Sequence, residues 1–143
     1  MSEEIQILLV EDNPGDVRLT IEALRGAKVA NELHVVGDGE EAIEFLRQIG
    51  RHAAAPRPDI VLLDLNLPRL DGREVLANIK SDPDLVKIPI IVLTSSLAER
   101  DIEQAYELHA NCYISKPVDF TEFIQAVRSL EGFWLKIVRL PPR

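Results

Sequence analysis

The polar residues of this chain that could take part in chemistry stand at the ends of short apolar runs. The run over residues 60–63 is followed at once by the carboxylate of Asp64. In an open sheet of parallel strands, ligands bind at the carboxyl ends of the strands. Four other polar residues end or follow apolar runs in the same way: Glu11, Asp12, Thr94 and Lys116. We therefore expect these five side chains to share one edge of a sheet.

The types of these five residues complement one another. The three carboxylates would repel each other if they converged without a cation. A small divalent ion such as Mg²⁺ is usually held by carboxylates, waters and a phosphate. Lys116 adds a fixed positive charge and Thr94 adds a hydroxyl donor. Such a pocket suits a phosphoryl group, which a carboxylate can accept, with catalysis by positioning and charge neutralisation.

An alternation of strands and helices must position these residues. The apolar runs predict strands over residues 5–10, 33–36, 60–64, 88–93 and 112–115. Helical spacing between them predicts helices that end near Gly26, near Gly50 and before Asp82, and two more over residues 98–108 and 119–130. Residues 51–58 read as a loose surface loop. The pattern predicts an α/β fold with a parallel sheet, helices on both faces and right-handed crossovers.

Length and charge limit the classes of function. A chain of 143 residues is the size of one domain. Its net charge of -8 argues against nucleic-acid binding, which requires a basic patch. No apolar run approaches the roughly 20 residues that span a bilayer, and the first residues lack the basic start of a signal peptide. The single cysteine, Cys112, leaves no internal disulfide. We expect a cytoplasmic protein without a membrane segment.

In this order and at these strand ends, Glu11-Asp12, Asp64, Thr94 and Lys116-Pro117 resemble the signature of response-regulator receiver domains of two-component signalling. The resemblance covers residues 5 to about 131. It implies a doubly wound, five-stranded parallel sheet of flavodoxin-like strand order 2-1-3-4-5. We expect a receiver domain over residues 1–131 and an apolar extension of the last helix over residues 132–143.

The resemblance also implies a role for each site residue. Asp64 would accept a phosphoryl group from a histidine of a partner histidine kinase. Glu11, Asp12, Asp64 and the backbone carbonyl of Asn66 would hold Mg²⁺, and Lys116 would pair with the phosphoryl oxygens. The chain is then a phosphoacceptor with self-catalysed transfer and slow autodephosphorylation, not an enzyme with a separate substrate.

The same resemblance implies residues that respond to phosphorylation and residues that set the lifetime of the phosphoryl group. Thr94 would move to bind a phosphoryl oxygen, and Tyr113 stands where the family has its switch aromatic. Together they would report phosphorylation on the surface of the fourth helix, fifth strand and fifth helix. Asn66 and Ser96 occupy positions that tune how long the phosphoryl group lasts.

Within the family, the chain is similar to stand-alone receivers that serve phytochrome-type histidine kinases. Residues 11–16, residues 51–58 and the closing Phe133-Trp134-Leu135 carry this similarity. The apolar tail is expected to form a homodimer, together with the surface of the fourth helix, fifth strand and fifth helix, through Phe133, Trp134, Ile137 and Val138. Alternatively, the tail folds back on its own domain. The stretch after residue 131 is too short for an output domain, so the output is expected to be a binding event.

Three other functions use parts of the same pattern. Haloacid-dehalogenase-type phosphohydrolases also use an aspartate nucleophile, but their second acid, two residues later, is Asn66 here. A flavodoxin-like carrier needs a Gly/Ser/Thr-rich phosphate loop after the first strand, where this chain has Glu11-Asp12. A binding module that works without phosphorylation is the third alternative.

Overall fold

A computed structural model of the chain describes residues 5–25, 31–65, 67, 70–94 and 112–115. The strands in this part of the chain are β1 (Ile5–Val10), β2 (Asn31–Val36), β3 (Ile60–Asp64), β4 (Ile90–Thr94) and β5 (Cys112–Ser115). The helices are α1 (Pro14–Arg25), α2 (Gly39–Arg47) and α3 (Gly72–Ser81), with 3-10 turns at Gly50–His52 and Leu85–Lys87. The predicted helices over 98–108 and 119–130 and the extension over 132–143 lie outside these residues.

The five strands form one parallel sheet in the order β2-β1-β3-β4-β5. The predicted fold class and strand order are therefore confirmed. From β1 the chain crosses to β2 at one edge of the sheet. From β2 it crosses back in the opposite direction, past β1, to β3. Because such crossovers are right-handed, α1 covers one face of the sheet and α2 covers the opposite face.

The sheet is buried on both faces, as its near-continuous apolar strands predicted. Alternate strand residues on one face pack against α2 and α3 in a single core that includes Leu8, Val10, Val61, Leu63 and Val92 from the sheet and Phe45, Leu46, Val75, Leu76 and Ile79 from the helices. The intervening strand residues are also buried, among them Ile7, Leu9, Ile60, Leu62, Ile91 and Leu93. This packing fixes the strands whose carboxyl ends carry the candidate site.

The end of α2 differs from the prediction. The helix ends at Arg47 and not near Gly50, because Gln48 adopts a left-handed conformation with φ 57° and ψ 50°. The amide of Ile49 then donates to the carbonyl of Glu44 at 3.0 Å, which closes the last turn. Ile49 continues the helical spacing of the apolar residues in the sequence, but its side chain is 51% exposed and does not belong to the helix.

The segment from residue 51 to residue 58 is not the loose loop that its composition suggested. The Gln48 side-chain amide donates to the carbonyl of Ala55 at 2.7 Å. His52 Nε2 lies 2.9 Å from Glu41 Oε2. Arg57 donates to the backbone carbonyl of Asp84 at 2.6 Å. These polar contacts fix the segment against α2 and against the turn before β4, and composition alone does not show them.

Two strands begin at other residues than predicted. β2 begins at Asn31, two residues earlier than predicted, and pairs with β1 along its whole length. β4 begins at Ile90, two residues later than predicted, because Leu85–Lys87 forms a 3-10 turn. Ile88 closes that turn by donating to the carbonyl of Leu85 at 3.0 Å. No helix in the described part of the chain is long and apolar enough to cross a bilayer.

Candidate functional site

Three carboxylates meet at the carboxyl edge of the sheet. One oxygen from each of Glu11, Asp12 and Asp64 lies within 4.8 Å of the other two. The register between β1 and β3 places Val10 beside Leu63, so the residues that follow them, Glu11 and Asp64, are neighbours. Glu11 and Asp64 are each 2% exposed, whereas Asp12 is open to solvent. We call these three residues the carboxylate cluster.

The backbone around Glu11 holds the first two carboxylates in place. The Glu11 amide donates to the carbonyl of Val36 at 3.0 Å, which extends the pairing of β1 with β2 by one residue. Glu11 Oε2 accepts from the amide of Asn13 at 3.3 Å. Asn13 Oδ1 accepts from the amide of Asp16 at 3.0 Å and so caps α1. The cluster therefore lies where β1 turns directly into α1.

The loop between β3 and α3 closes tightly behind Asp64. The amide of Gly72 donates to the carbonyl of Leu65 at 3.1 Å. A Cβ on Gly72 would overlap the carbonyl oxygen of Asp64 and would lie 2.6 Å from the Cα of Leu65. Asp71 Oδ1 accepts from the amide of Arg73 at 2.7 Å, which caps α3 at this point. Only glycine at position 72 allows the helix to start this close to the end of β3.

The cluster fits a hard divalent cation. Two of its carboxylates are buried, and burying negative charge is costly unless a positive charge compensates it. Carboxylate oxygens from three residues, close enough to share one ion, are the donor set that Mg²⁺ and Mn²⁺ prefer. Among the described residues, the carboxylate cluster is the one group of three or more acidic, histidine or cysteine side chains that lie close enough together to hold a metal ion.

The structure accounts for the other predicted site residues only in part. Thr94 ends β4 and pairs with Ser115, the residue before Lys116, so both strands end at the edge that carries the cluster. Tyr113 lies in β5 opposite Val92. The side chains of Thr94 and Tyr113 are not among the atoms that the structure describes. The remaining predicted residues lie outside the described part of the chain: Asn66, Ser96, Lys116, Phe133, Trp134, Ile137 and Val138.

Sequence reasoning missed the part played by the glycine of Asp71-Gly72. In the sequence, an Asp-Gly dipeptide is a turn signal, and a turn does lie here. Its contact with the backbone of Asp64 is a second role that a turn signal does not reveal. The available hint was the position of the dipeptide, a few residues after the strand that ends on Asp64.

Comparison with known proteins decides the family. The model of the response regulator receiver domain matches residues 7–128. The chain belongs to the response regulator receiver family. The response regulator Rcp1 of Synechocystis sp. (strain ATCC 27184 / PCC 6803 / Kazusa) is 49% identical over 135 residues, which are 94% of this chain and 92% of Rcp1.

Two solved structures support the same family. The Mn²⁺-bound form of Rcp1 is 48% identical, with a TM-score of 0.78 over 96% of this receiver and 99% of that chain. The phosphorylated cyanobacterial phytochrome response regulator RcpA is 51% identical, with a TM-score of 0.80 over 98% of this receiver and 100% of that chain. The predicted similarity to phytochrome response regulators is confirmed.

Family membership gives the class of function. The chain is a response regulator of two-component signalling, and its carboxylate cluster lies at the end of the sheet where a receiver holds its acidic pocket. The match over most of the chain decides against the haloacid-dehalogenase and flavodoxin alternatives.

Proposed function

We propose that this response regulator accepts a phosphoryl group on Asp64 from a phosphohistidine of a histidine kinase. The observation that supports this most strongly is the convergence of Glu11, Asp12 and Asp64 at the carboxyl edge of the sheet. Asp64 ends the strand at the centre of that sheet, between β1 and β4. A rigid strand end of this kind holds a nucleophile in one orientation.

In the proposed reaction, a carboxylate oxygen of Asp64 attacks the phosphorus atom. An O–P bond forms while the N–P bond to the kinase imidazole breaks, and the imidazole leaves and takes up a proton. Glu11, Asp12, Asp64 and the backbone carbonyl of Asn66 would hold Mg²⁺, which would supply positive charge to neutralise the phosphoryl oxygens.

The remaining site residues would bind the product and transmit its presence. Lys116 pairs with the phosphoryl oxygens, and Thr94 donates its hydroxyl to one of them. Tyr113 follows Thr94 and changes the surface of the fourth helix, fifth strand and fifth helix. Asn66 and Ser96 set the rate at which the chain dephosphorylates itself. Signalling is a shift between two surface states, driven by the state that the phosphoryl group favours.

The partner would be a histidine kinase of the phytochrome type, in the cytoplasm. Support comes from the 51% identity to RcpA, a phytochrome response regulator, and from the 49% identity to Rcp1.

The proposal also includes a homodimer and a division of the chain. The receiver domain spans residues 1–131, and residues 132–143 extend its last helix. Four apolar residues of that extension would join the surface of the fourth helix, fifth strand and fifth helix in the dimer: Phe133, Trp134, Ile137 and Val138. Large aromatic side chains supply much of the binding energy of interfaces.

Chemical mapping tests the proposed phosphoacceptor. The protein is incubated with acetyl phosphate and Mg²⁺, and borohydride then reduces any aspartyl phosphate to homoserine. Fragmentation of the peptide over residues 52–69 must separate Asp59 from Asp64. Homoserine at position 64 is the expected result. Homoserine at Asp59, or in another peptide alone, would contradict the proposal.

A further inference from the structure

Two loops at the edge of the carboxylate cluster touch through their backbones. Gly39 is the first residue of α2 and is buried. A Cβ at this position would overlap the carbonyl oxygen of Leu70 and would lie 2.7 Å from both the carbonyl carbon and the Cβ of Leu70. A side chain at position 39 therefore has to displace the backbone of the loop between β3 and α3, which is costly in a close-packed region.

Leu70 has little freedom to give way. Its side chain packs against the hydrophobic core beneath α2 and α3. The chain directly after Leu70 is held close to the end of β3, because the amide of Gly72 donates to the carbonyl of Leu65 at 3.1 Å. Gly72 in turn lies against the carbonyl oxygen of Asp64. A displacement at Leu70 thus reaches the backbone of Asp64 through Gly72, two residues later.

The turn on the other side of this contact is equally fixed. Asp38 Oδ1 accepts from the amide of Glu41 at 2.8 Å. Glu41 Oε1 accepts from the amide of Gly37 at 3.2 Å. The carbonyl of Val36 accepts from the amide of Glu11 at 3.0 Å. The segment from Val36 to Gly39 is therefore hydrogen-bonded to Glu11 at one end and contacts Leu70, in the loop after Asp64, at the other.

We propose that Gly39 is a positioning residue for the carboxylate cluster. Its contact with Leu70 keeps the β3–α3 loop at the distance from β1 at which Glu11, Asp12 and Asp64 can share one divalent cation. Gly39 touches neither the cation nor the phosphoryl group. This inference rests on the proposed function only in that the cluster binds such a cation.

A matched pair of glycine substitutions tests the proposal. Gly39→Ala puts a methyl group against the Leu70 backbone, whereas at Gly37, two residues earlier, an added Cβ meets nothing within 4 Å. Mn²⁺ alone is titrated into each metal-free protein, and free Mn²⁺ is followed by electron paramagnetic resonance. We expect Gly39→Ala to weaken Mn²⁺ binding about tenfold, as loss of support around metal ligands typically does. We expect Gly37→Ala to bind as the wild type does.

A third variant separates positioning from simple loss of stability. Leu85→Ala removes a buried side chain of the same core from the turn before β4, away from the carboxyl edge of the sheet, so it should lower the melting temperature and keep the Mn²⁺ affinity. The same drop in affinity in Leu85→Ala and Gly39→Ala, in proportion to their loss of stability, would overturn the proposal. Unchanged affinity in a folded Gly39→Ala would also overturn it.

The wild-type protein provides a test even if Gly39→Ala does not fold. If the loop and the cluster are coupled, Mg²⁺ must slow amide hydrogen exchange at Leu70 and Gly72, and exchange unaffected by Mg²⁺ would overturn the inference. A wild type that bound neither Mn²⁺ nor Mg²⁺ would overturn the proposed function together with this inference. A wild type that binds both, beside a Gly39→Ala variant that binds equally well, would overturn this inference alone.

Discussion

The three carboxylates of the cluster differ in burial and in their contacts with the rest of the fold. Glu11 and Asp64 are enclosed by the sheet edge, and Glu11 also bonds to the amide of Asn13. Asp12 is exposed to solvent and extends the donor set toward it. A substitution at Asp12 therefore changes the chemistry of the cluster with the least disturbance of the fold.

Asp12→Asn is expected to weaken Mg²⁺ binding at least about tenfold, since it removes a charged ligand. The metal-free variant should be at least as stable as the wild type, because one like charge has left the cluster. Calorimetric titration measures the affinity, and Glu74→Gln, an exposed change on α3, is the control. Equal affinities in Asp12→Asn and the control would show that Asp12 is not a ligand.

A second prediction concerns the pH dependence of stability. Burial lowers the pKa of the Lys80 ammonium from its ordinary value. The unfolded chain therefore holds this proton more tightly, so the cost of burying the charge is present at neutral pH and disappears as the pH rises through the ordinary lysine range. Lys80→Met should raise the melting temperature at pH 7 and lose that advantage at alkaline pH.

The matched control for Lys80→Met is Lys87→Met, which alters an exposed lysine in the turn before β4. It should leave the pH dependence of the melting temperature as in the wild type. An advantage of Lys80→Met that persisted at alkaline pH would show that packing, and not charge, is responsible.

At the scale of residues, sequence reasoning found the carboxylates but not their supports. Glu11, Asp12 and Asp64 stand out because they end or directly follow apolar strands, and the structure brings them together. The contacts of Gly39 and Gly72 depend on the path of two loops in space. No spacing rule in one dimension reports how closely two loops approach.

The helices next to the site begin at side-chain caps, and these can be tested at the scale of elements. Asp38 Oδ1 accepts from the amide of Glu41 at 2.8 Å. Asp38→Ala should lower the free energy of unfolding by about 1 kcal/mol, the usual value of such a cap. Urea denaturation measures it. Glu40→Ala removes an acidic residue from the same turn without removing the cap. An equal decrease in the free energy of unfolding in Asp38→Ala and Glu40→Ala would show that the loss of negative charge, and not of the cap, is responsible.

Element types were predictable where the period of the apolar pattern was clear. β1, β3 and β5 have the bounds that their apolar runs predicted. Two of the errors fall where hydrogen bonds decide the boundary: at Gln48, whose left-handed conformation ends α2, and at Leu85–Lys87, whose 3-10 turn delays β4. Neither feature has a distinctive signature in the local sequence. The left-handed cap is unexpected in particular, because glycine or asparagine usually takes that position and here it is Gln48.

At the scale of the whole molecule, the strand order was predicted from the family resemblance alone, and the structure has that order. The alternation of strands and helices by itself left several orders open. The family match over residues 7–128 and the order of the five strands agree with each other. The predicted extension over residues 132–143 stays a prediction.

Self-association tests that extension. Trp134→Ala should shift the monomer–dimer balance toward monomer, since a buried aromatic side chain is often central to an interface. Sedimentation velocity over a concentration series measures the shift. Lys136→Ala, two residues away, is the control for a general effect of changing the tail. Identical profiles for Trp134→Ala and the wild type would place Trp134 outside any dimer contact.

The most direct test of the central claim is the intact mass of the protein after incubation with acetyl phosphate, with and without Mg²⁺. Wild type, Asp64→Asn and Asp59→Asn are compared, because Asp59 precedes the same strand at the opposite edge of the sheet. We predict one added phosphoryl group on wild type and on Asp59→Asn, dependent on Mg²⁺, and none on Asp64→Asn. An adduct on Asp64→Asn equal to that on wild type, or no adduct on any of the three proteins, would contradict the claim that Asp64 is the phosphoacceptor.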